Sequence, residues 1–303
     1  MRRQLADAHE RGEPIATLFA AEGPIYPRFG YGVAAMAGEV ELPKSDARLW
    51  QDEPLGRARL LESQDELLDV LPGIYDRIQP TTPGMSTRSR DWWKVRRLAQ
   101  RPGRPELTAA VLELHGRPEA YALYRLDFGM RQMITETKLE VLEALAASPE
   151  GLDAIWRFLL GIDWVARIDA YWLPLDHPLF LWLREARRMR FTVLEGLWVR
   201  LVDVGAALAA RGLRDGEVVL DVRDEFCSWN QARWRVANGS ADRTTAPADL
   251  ALDMSALAST YLGGFTFEQL RRARRLEELK PGAVERADEL FRTAGQPWSP
   301  ELF

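Results

Sequence analysis

Apolar residues recur along this chain with two different spacings, which together predict alternating strands and helices. Short apolar or alternating runs, such as IATLFA (15–20) and EAYALYRLDF (119–128), indicate strands. Apolar residues three and four positions apart, as in SQDELLDVLPGIYDRIQ (63–79), indicate a helix, whose start carries Ser63 and Glu66 at capping-box spacing. We therefore expect an α/β (α+β) fold in which helices pack on sheets.

The same patterns predict the other elements. Asn238-Gly239, inside QARWRVANGSADRTT (231–245), is a strong signal for a two-residue hairpin turn. The triplet that ends at Ser240 also matches a glycosylation sequon, but the hairpin is the preferred interpretation. Further predictions are a helix at 1–12, strands at 31–42 and 132–145, and helices at 178–189 and 266–276.

Two changes in composition divide the chain into three predicted domains. The stretch KSDARLWQDEP (44–54) is polar and contains proline, which is typical of a boundary. Another unit begins near residue 191, shortly before the strand pattern GLWVRLVDV. The predicted domains are residues 1–47, 48–190 and 191–303.

Composition restricts the compartment and the partners. The chain has 303 residues, a formal net charge of -5 and a single cysteine, Cys227, which excludes an internal disulfide and a thiolate metal cluster. Its charged start lacks the apolar run of a signal peptide, so we expect a cytoplasmic protein without a membrane partner. Net acidity argues against a nucleic-acid partner. We expect the basic stretch 88–104 to be a solvated helix face, with Trp92 and Trp93 turned into a core.

Few side chains offer ordinary catalytic chemistry. His9, His115 and His177 are widely separated and lack neighbours at ligand spacing, so no metal site is predicted. His177 is interpreted as a loop or capping residue, and Cys227, in a strand-like segment, as an inert buried thiol. The sequence contains no G-x-S-x-G, P-loop or G-x-G-x-x-G motif.

The segment AEGPIYPRFGYG (21–32) places Tyr26 in a turn among glycine and proline residues. From these residues alone, Tyr26 is interpreted as an aromatic turn anchor whose hydroxyl bonds to backbone. The neighbouring proline and glycine residues would fix the conformation of the turn.

The chain closely resembles the enhanced intracellular survival (Eis) family of GNAT N-acetyltransferases, and the resemblance covers essentially its whole length. It rests on FAAEGPIYPRFGYG (19–32), YALYRLD (121–127), GLWVRLVDVGAALAARG (196–212), TYLGG (260–264) and the terminal Phe303. Its most specific part is I-Y-x-R-F-G-Y-G (25–32) together with an aromatic chain end. The resemblance implies the remnant of a GNAT domain, a second GNAT-like α/β domain, a C-terminal sterol-carrier-protein-like α/β domain and assembly as a homohexamer.

The resemblance also implies the chemistry. It implies acetyl-CoA as co-substrate, no metal, and an acceptor amine of aminoglycoside, polyamine or lysine type. Tyr26 would be the general acid towards the CoA thiolate, since phenols, with a reference pKa of about 10, are protonated at neutral pH. Its proline and glycine neighbours would aim the hydroxyl before a substrate binds. The chain-end carboxylate of Phe303 would be the general base. Arg28, Phe29 and Gly30 would contact the coenzyme.

Several features depart from the family pattern. The Arg/Gly-rich loop that holds the CoA pyrophosphate does not occur, and Met1 is expected within the helix that this loop opens. FAA (19–21) stands where the family has polar residues, and Leu302 where it has an acidic one. We therefore expect an Eis-like enzyme that lacks the first part of its GNAT domain, with impaired turnover on its own. The alternative is a non-catalytic carrier of a lipid or other apolar ligand, or a scaffold, that uses the sterol-carrier-like domain.

Overall fold

The structure, a computed structural model, describes residues 1–51 and 56–301 and contains two compact units. The terminal unit combines residues 1–36 with residues 195–303, and the central unit holds residues 37–194. Both units mix strands with helices, so the predicted α/β (α+β) class is confirmed.

Three short strands form the sheet that carries the amino-terminal part of the terminal unit. Trp198–Leu201 is the middle strand, and it pairs antiparallel with Ile15–Leu18 on one side and with Gly32–Val33 on the other. The segment that joins the two edge strands contains Tyr26. The sequence-distant middle strand therefore lies between the two ends of the Tyr26 segment.

A five-stranded sheet and its helices form the rest of the terminal unit. In spatial order, the strands are Ser240–Arg243, Ala232–Ala237, Glu217–Arg223, Leu250–Asp253 and Leu276–Glu278. Glu217–Arg223 and Leu250–Asp253 run parallel, whereas the other neighbouring pairs are antiparallel. The helices of this unit are Arg2–Glu10, Val204–Ala210, Met254–Thr260, Phe267–Arg272 and Ala283–Leu290.

The predicted hairpin at Asn238-Gly239 is confirmed. Ala237 pairs with Ser240 across a two-residue loop, in which Asn238 and Gly239 have φ angles of 52° and 73°. Two successive residues with positive φ are typical of a type I′ turn, and asparagine and glycine adopt that conformation readily.

A seven-stranded sheet organises the central unit. In spatial order, its strands are Arg190–Glu195, Met36–Pro43, Arg167–Leu173, Lys138–Ala146, Arg117–Asp127, Thr108–Leu114 and Arg57–Leu61. Lys138–Ala146 and Arg167–Leu173 run parallel, and the helix Pro149–Gly161 forms the crossover between them. The other elements are the helices Gln64–Ile78, Arg90–Trp92 with its π-helical continuation Trp93–Arg97, and Leu179–Trp182, and the two-stranded hairpin of Met130–Arg131 and Ile134–Thr135.

Helix starts in the central unit carry side-chain caps. The Ser63 hydroxyl accepts a hydrogen bond from the Glu66 amide at 3.2 Å, which is half of the predicted capping box. The Glu66 carboxylate accepts from the Glu62 amide at 3.0 Å. Ser148 likewise caps Pro149–Gly161, which begins with proline at a position where no amide donor is needed.

The predicted strand at 31–42 is wrong, because it is divided between two sheets. Gly32–Val33 belongs to the three-stranded sheet and Met36–Pro43 to the seven-stranded sheet. The amides of the two intervening alanines both donate to the Leu197 carbonyl, at 2.9 and 3.1 Å. These two hydrogen bonds to one carbonyl interrupt the regular pairing of the strand. The apolar pattern of the sequence alone does not reveal this interruption.

Left-handed backbone breaks two other predicted elements, the strand at 132–145 and the helix at 266–276. Gln132 and Met133 have φ angles of 49° and 65° and form the hairpin turn, so the long regular strand begins only after it. Arg274 has a φ of 57°, and the chain continues from it into the outermost strand of the five-stranded sheet.

The predicted helix at 178–189 is also wrong in length. Only Leu179–Trp182 is α-helical, because Leu183 is extended and forms an antiparallel bridge with Leu49. This tertiary pairing takes the place of helical hydrogen bonds that the local sequence could form.

The basic stretch 88–104 is only partly the solvated face that the sequence predicts. Trp93 is fully buried, as expected, whereas Trp92 is half-buried. Arg88 is itself buried, with its guanidinium 4.5 Å from the centroid of the Trp93 ring. An arginine in such a position needs a negatively charged partner.

Glu143 supplies that partner. Arg88 donates from both terminal nitrogens to the two Glu143 oxygens at 2.9 and 2.7 Å, and the carboxylate also contacts Arg97 at 2.7 Å. The Tyr121 hydroxyl donates to the same carboxylate at 2.6 Å. Burial raises the pKa of Glu143, but Arg88 and Arg97 outweigh burial and lower it to about 2.

We expect Glu143→Gln to destabilise the protein by ~3–5 kcal/mol at neutral pH, because Arg88 would remain buried without its counter-charge. The folded-state pKa of Glu143 lies below its unfolded value, so the ionic stabilisation is complete above the unfolded value of about 4.3. It is lost as the pH falls through about 2. Urea unfolding at a series of pH values should therefore show the difference between wild type and variant shrinking across this acidic window.

Glu113→Gln is the matched control. Glu113 lies in the same sheet and pairs with Arg59 at 3.0 Å, but both side chains are more than one-third exposed. Its loss should cost less than ~1 kcal/mol. An equally small effect of Glu143→Gln would contradict the expectation.

Candidate functional site

The backbone around Tyr26 is fixed by two successive single-turn helices. Tyr26 ends the 3-10 helix Gly23–Ile25 and precedes the 3-10 helix Pro27–Phe29. Each helix has a proline in its first turn, which restricts φ. The Tyr26 carbonyl accepts hydrogen bonds from the amides of Phe29, at 2.9 Å, and Tyr31, at 3.4 Å. The turn is therefore ordered by its own hydrogen bonds.

The Tyr26 side chain is half-buried and is held by aromatic neighbours. Its ring centroid lies 6.2 Å from that of Tyr31, in an edge-to-face arrangement, and 6.2 Å from that of Trp198. Among residues 1–51 and 56–301, no hydrogen bond is made by the Tyr26 hydroxyl. The aromatic-anchor interpretation expects a bond from this hydroxyl to backbone, whereas packing holds the ring and leaves the hydroxyl available.

Two glycines allow the turn to pack closely on the rest of the terminal unit. Gly30 has a φ of 80°, and a β-carbon on it would lie 2.7 Å from a terminal nitrogen of Arg200. A β-carbon on Gly32 would lie 2.1 Å from the carbonyl oxygen of Ser255. Positions 30 and 32 therefore require glycine in this fold, because a larger residue at either position would displace its neighbours.

Arg200, which the sequence analysis did not single out, lies beneath this turn. Its side chain is fully buried and donates to the Asp224 carboxylate at 2.5 Å. Within the described part of the chain, its Nε and the other terminal nitrogen have no hydrogen-bond partner. The sequence does contain a signal for this residue, because Arg200 stands inside the apolar strand pattern WVRL. A charged residue is seldom fully buried without a partner, so this pattern indicates a buried ion pair.

Asp224 connects Arg200 to the segment that follows it. The carboxylate accepts from the Cys227 amide at 3.0 Å and from the side-chain amide of Asn230 at 3.2 Å. Asn230 also donates to the Val202 carbonyl at 3.0 Å. A continuous polar network therefore runs through the interior of the terminal unit.

Cys227 is buried, as the sequence analysis expects, but it precedes a 3-10 helix instead of lying in a strand. Burial raises the pKa of its thiol, while the neighbouring Arg200 guanidinium opposes that rise. The thiol therefore remains protonated at neutral pH, which fits the inert role predicted for it.

A cavity of about 340 Å³ opens beside the turn. It is lined by Pro27, Arg28, Gly30, Arg223, Asp224, Glu225, Phe226, Asp253, Met254 and Ser255. Its walls thus combine the Tyr26 turn with parts of the chain two hundred residues away, and its charged groups have both signs.

Of the three predicted coenzyme contacts, only the side chain of Arg28 is free to meet an anionic ligand. It is exposed, with its guanidinium 4.8 Å from the centroid of the Phe29 ring, and that ring packs against Phe226 at 5.1 Å. The backbone amides of Phe29 and Gly30 already donate within the turn, to the carbonyls of Tyr26 and Pro27. These amides do not form a free cradle for phosphate.

The predicted base, Phe303, lies outside the described residues. The preceding residues 297–301 are all buried, so this part of the tail is docked against the protein. Pro297 packs near Gly264, where a β-carbon would lie 3.2 Å from it and 2.2 Å from the Ala34 carbonyl oxygen. The last described residues thus begin their course beside the strand that follows the Tyr26 turn.

His177 is a capping residue, as predicted. Its Nδ1 accepts from the Leu179 amide at 3.3 Å, at the start of the helix Leu179–Trp182, and its ring packs on Trp156 and Trp182. Burial lowers its pKa to about 3, so the imidazole is neutral at physiological pH.

The other two histidines have different surroundings. His9 stacks on Trp229 at 4.7 Å, and His115 occupies a tight turn with a φ of 52°. Across residues 1–51 and 56–301, no group of three potential metal ligands is found. No helix in the same part of the chain is long and apolar enough to cross a bilayer.

Family models match three parts of the chain. An acetyltransferase (GNAT) domain matches residues 1–34, a second acetyltransferase (GNAT) domain matches residues 84–201, and a sterol carrier protein domain matches residues 204–300. The three kinds of domain expected from the resemblance are confirmed. Their boundaries at residues 47 and 190 stay a prediction.

Relatives are similar over the whole chain. An uncharacterized N-acetyltransferase of Streptomyces avermitilis is 37% identical over 314 residues, which cover 100% of this chain and 76% of the relative. N-acetyltransferase Eis of Mycobacterium tuberculosis is 33% identical over 309 residues, covering 96% of this chain and 73% of the relative.

Solved structures agree with these matches. The crystal structure of Eis1 from Mycobacterium abscessus superposes with a TM-score of 0.86 at 32% identity, covering 100% of this chain and 76% of Eis1. A GCN5-related N-acetyltransferase from Anabaena variabilis has the same fold, with a TM-score of 0.83 at 22% identity and coverage of 100% and 76%.

Gly30→Ala should destabilise the protein by roughly 2–4 kcal/mol, because it combines left-handed backbone strain with a collision against buried Arg200. Gly12→Ala is the matched control. Gly12 has a φ of 73°, but nothing lies within 4 Å of the position of its β-carbon. It should cost only the strain, roughly 1–2 kcal/mol. Urea unfolding of both variants measures the difference, and equal losses would show that the Gly30–Arg200 contact is unimportant.

Proposed function

Because the chain belongs to the Eis family of GNAT N-acetyltransferases, we propose that Tyr26 and Phe303 carry the transfer of an acetyl group from acetyl-CoA to an amine. The observation that carries the proposal is the Tyr26 hydroxyl. It is held in a rigid turn by aromatic packing and makes no hydrogen bond within the described residues.

Tyr26 acts as general acid in this proposal. The acceptor nitrogen forms a bond to the thioester carbonyl carbon, and the carbon–sulfur bond breaks to release CoA thiolate. The Tyr26 hydroxyl donates its proton to that sulfur and is reprotonated from solvent after the products leave. A hydroxyl aimed before binding lowers the entropic cost of this step.

Phe303 acts through its chain-end carboxylate. This carboxylate accepts the proton that the attacking amine loses, or draws the cationic amine towards the thioester. The burial of residues 297–301 supports the proposal, because a docked tail restricts where the last residues can go. This role requires the carboxylate to lie at a fixed distance along the chain from the buried residues 297–301.

GNAT acetyltransferases use acetyl-CoA, and we assign Arg28 as a side chain that contacts it, with Phe29 and Gly30 shaping the turn. Arg28 would contribute by charge, since the two backbone amides beside it are occupied. Impaired turnover by these 303 residues alone remains part of the proposal and rests on the absence of an Arg/Gly-rich loop from the sequence.

The finer properties of the enzyme rest on the family. We propose an aminoglycoside, polyamine or lysine side chain as acceptor, assembly as a homohexamer, and a cytoplasmic location without nucleic-acid or membrane partners. The net charge of -5 is compatible with a cationic acceptor, because it favours encounter with positive charge.

The carrier alternative has less support. The relatives are named N-acetyltransferases. In the segment that matches the sterol carrier domain, apolar side chains such as Leu220, Leu252 and Phe267 are fully buried in one shared core. The interior of this segment is therefore filled by its own side chains, as is usual for a protein core.

Tyr26→Phe should lower kcat by roughly 100-fold or more, because the leaving thiolate would have to take its proton from water. The measurement is acetyl transfer from acetyl-CoA to an amine, in a form of the enzyme with a complete GNAT domain. The reaction is followed by release of free CoA thiol. Stability should change little, since the hydroxyl makes no hydrogen bond within the described residues.

Tyr31→Phe is the matched control for this prediction. Tyr31 packs edge-to-face on Tyr26 but is buried, and burial raises the pKa of its phenol. We expect its kcat to stay within about threefold of wild type. If Tyr31→Phe lost activity while Tyr26→Phe kept it, the general acid would be Tyr31.

One glycine added after Phe303 should lower kcat strongly, by roughly 10-fold or more, because it moves the carboxylate about 3.5 Å along the chain. Phe303→Leu, which retains the carboxylate at the original position, should keep most activity. Wild-type rates in the extended form would remove the chain end from the mechanism.

A further inference from the structure

The central unit contains a second cavity, and every described residue that lines it belongs to that unit. It has a volume of about 340 Å³ and is lined by Trp50, Gln51, Pro149, Glu150, Asp153, Arg157, Leu181 and Trp182. This volume lies at the small end of the range that binds low-molecular-weight ligands. Tyr26 and Arg28 are not among the described residues that line it.

Backbone pairing holds the two tryptophans on adjacent chain segments. The Trp50 amide donates to the Trp182 carbonyl at 3.0 Å, next to the antiparallel bridge between Leu49 and Leu183. The Trp182 ring is supported by the buried His177, at a centroid distance of 5.9 Å. The Trp50 side chain is 66% exposed, so a large aromatic surface is open at this cavity.

One face of the helix Pro149–Gly161 supplies the polar wall. Glu150, Asp153 and Arg157 lie three and four residues apart and therefore on the same side of the helix. Arg157 donates to Asp153 at 2.8 Å and also to the Gln51 carbonyl, so its charge is balanced and its position fixed. The exposed Glu150 forms no ion pair or hydrogen bond within the described residues.

The charges at this cavity disfavour an anion. Among the described lining residues, Glu150 leaves one net negative charge once Asp153 and Arg157 are paired. A helix N-terminus attracts anions, but here Glu150 already occupies the first turn and Ser148 caps the Gly151 amide. The His177 imidazole behind Trp182 is neutral at physiological pH and adds no repulsion towards a cation.

We propose that this cavity is a binding site for a small organic ammonium cation, which would lie against the Trp50 and Trp182 rings with its charge towards Glu150. Aromatic faces attract ammonium groups through the ring quadrupole, and their apolar surface covers the methyl or methylene groups of such ligands. A free carboxylate nearby supplies the charge complement. No acetyl transfer is required at this site.

The test uses choline as the probe and 3,3-dimethyl-1-butanol as its neutral carbon isostere. Isothermal titration of the 303-residue protein should show saturable binding of choline and at least about fivefold weaker binding of the isostere. Equal affinities would overturn the proposal in favour of a merely apolar pocket. The absence of saturable choline binding would overturn it altogether.

Two variants localise the binding. Trp50→Ala and Glu150→Gln change exposed side chains, so both should fold, and each should weaken choline binding about two- to fivefold. Trp164→Ala is the matched control, because Trp164 is 71% exposed in the same unit but does not line the cavity. The Trp164→Ala variant should bind choline with the affinity of the wild type. A loss of affinity as large as that of Trp50→Ala would show that choline binds elsewhere.

Discussion

A buried arginine, Arg200, holds together the segments from which the candidate active site is built. It lies in the middle strand of a three-stranded sheet, with Gly30 against one side of its guanidinium and Asp224 paired to it. Removing a guanidinium from water costs several kcal/mol, so the fold can bury it only where a carboxylate compensates. The turn that carries Tyr26 can approach so closely because residue 30 has no side chain. The position of the proposed acid thus depends on an ion pair between a strand and a segment far from Tyr26 in sequence.

The network around Asp224 extends this constraint into the sterol-carrier-like segment. Asn230 accepts a hydrogen bond from the Val204 amide at 3.0 Å, at the start of the first helix of that segment, and donates to the Val202 carbonyl. The central unit uses a comparable arrangement, with Glu143 between two arginines. Buried ion pairs of this kind favour one arrangement of the core, because a displacement would leave a charge without its partner.

The elements that could be predicted from sequence are those whose local pattern agrees with their tertiary surroundings. The helix Gln64–Ile78, the long strand Arg117–Asp127 and the Asn238-Gly239 hairpin are of this kind. Two errors come from left-handed backbone at Gln132, Met133 and Arg274, and others lie where distant residues override the local pattern. Leu183 leaves a predicted helix to pair with Leu49, more than one hundred residues earlier in the chain.

For the candidate site, too, only the features encoded by neighbouring residues could be predicted from sequence. Tyr26 could be found because its glycine and proline neighbours are adjacent in sequence. Arg200 and Asp224 could not be paired in advance, since nothing local selects one partner among 40 basic and 45 acidic residues. The same holds for the two tryptophans of the second cavity, which only backbone pairing brings to one place.

The division into a terminal and a central unit has a consequence for biosynthesis. The amino-terminal strand Ile15–Leu18 pairs with Trp198–Leu201, so it stays without its partner until the whole central unit, residues 37–194, has been translated. At typical elongation rates this interval lasts roughly 8–30 seconds. During it, the central unit can complete its own sheet before Ile15–Leu18 meets its partner strand Trp198–Leu201.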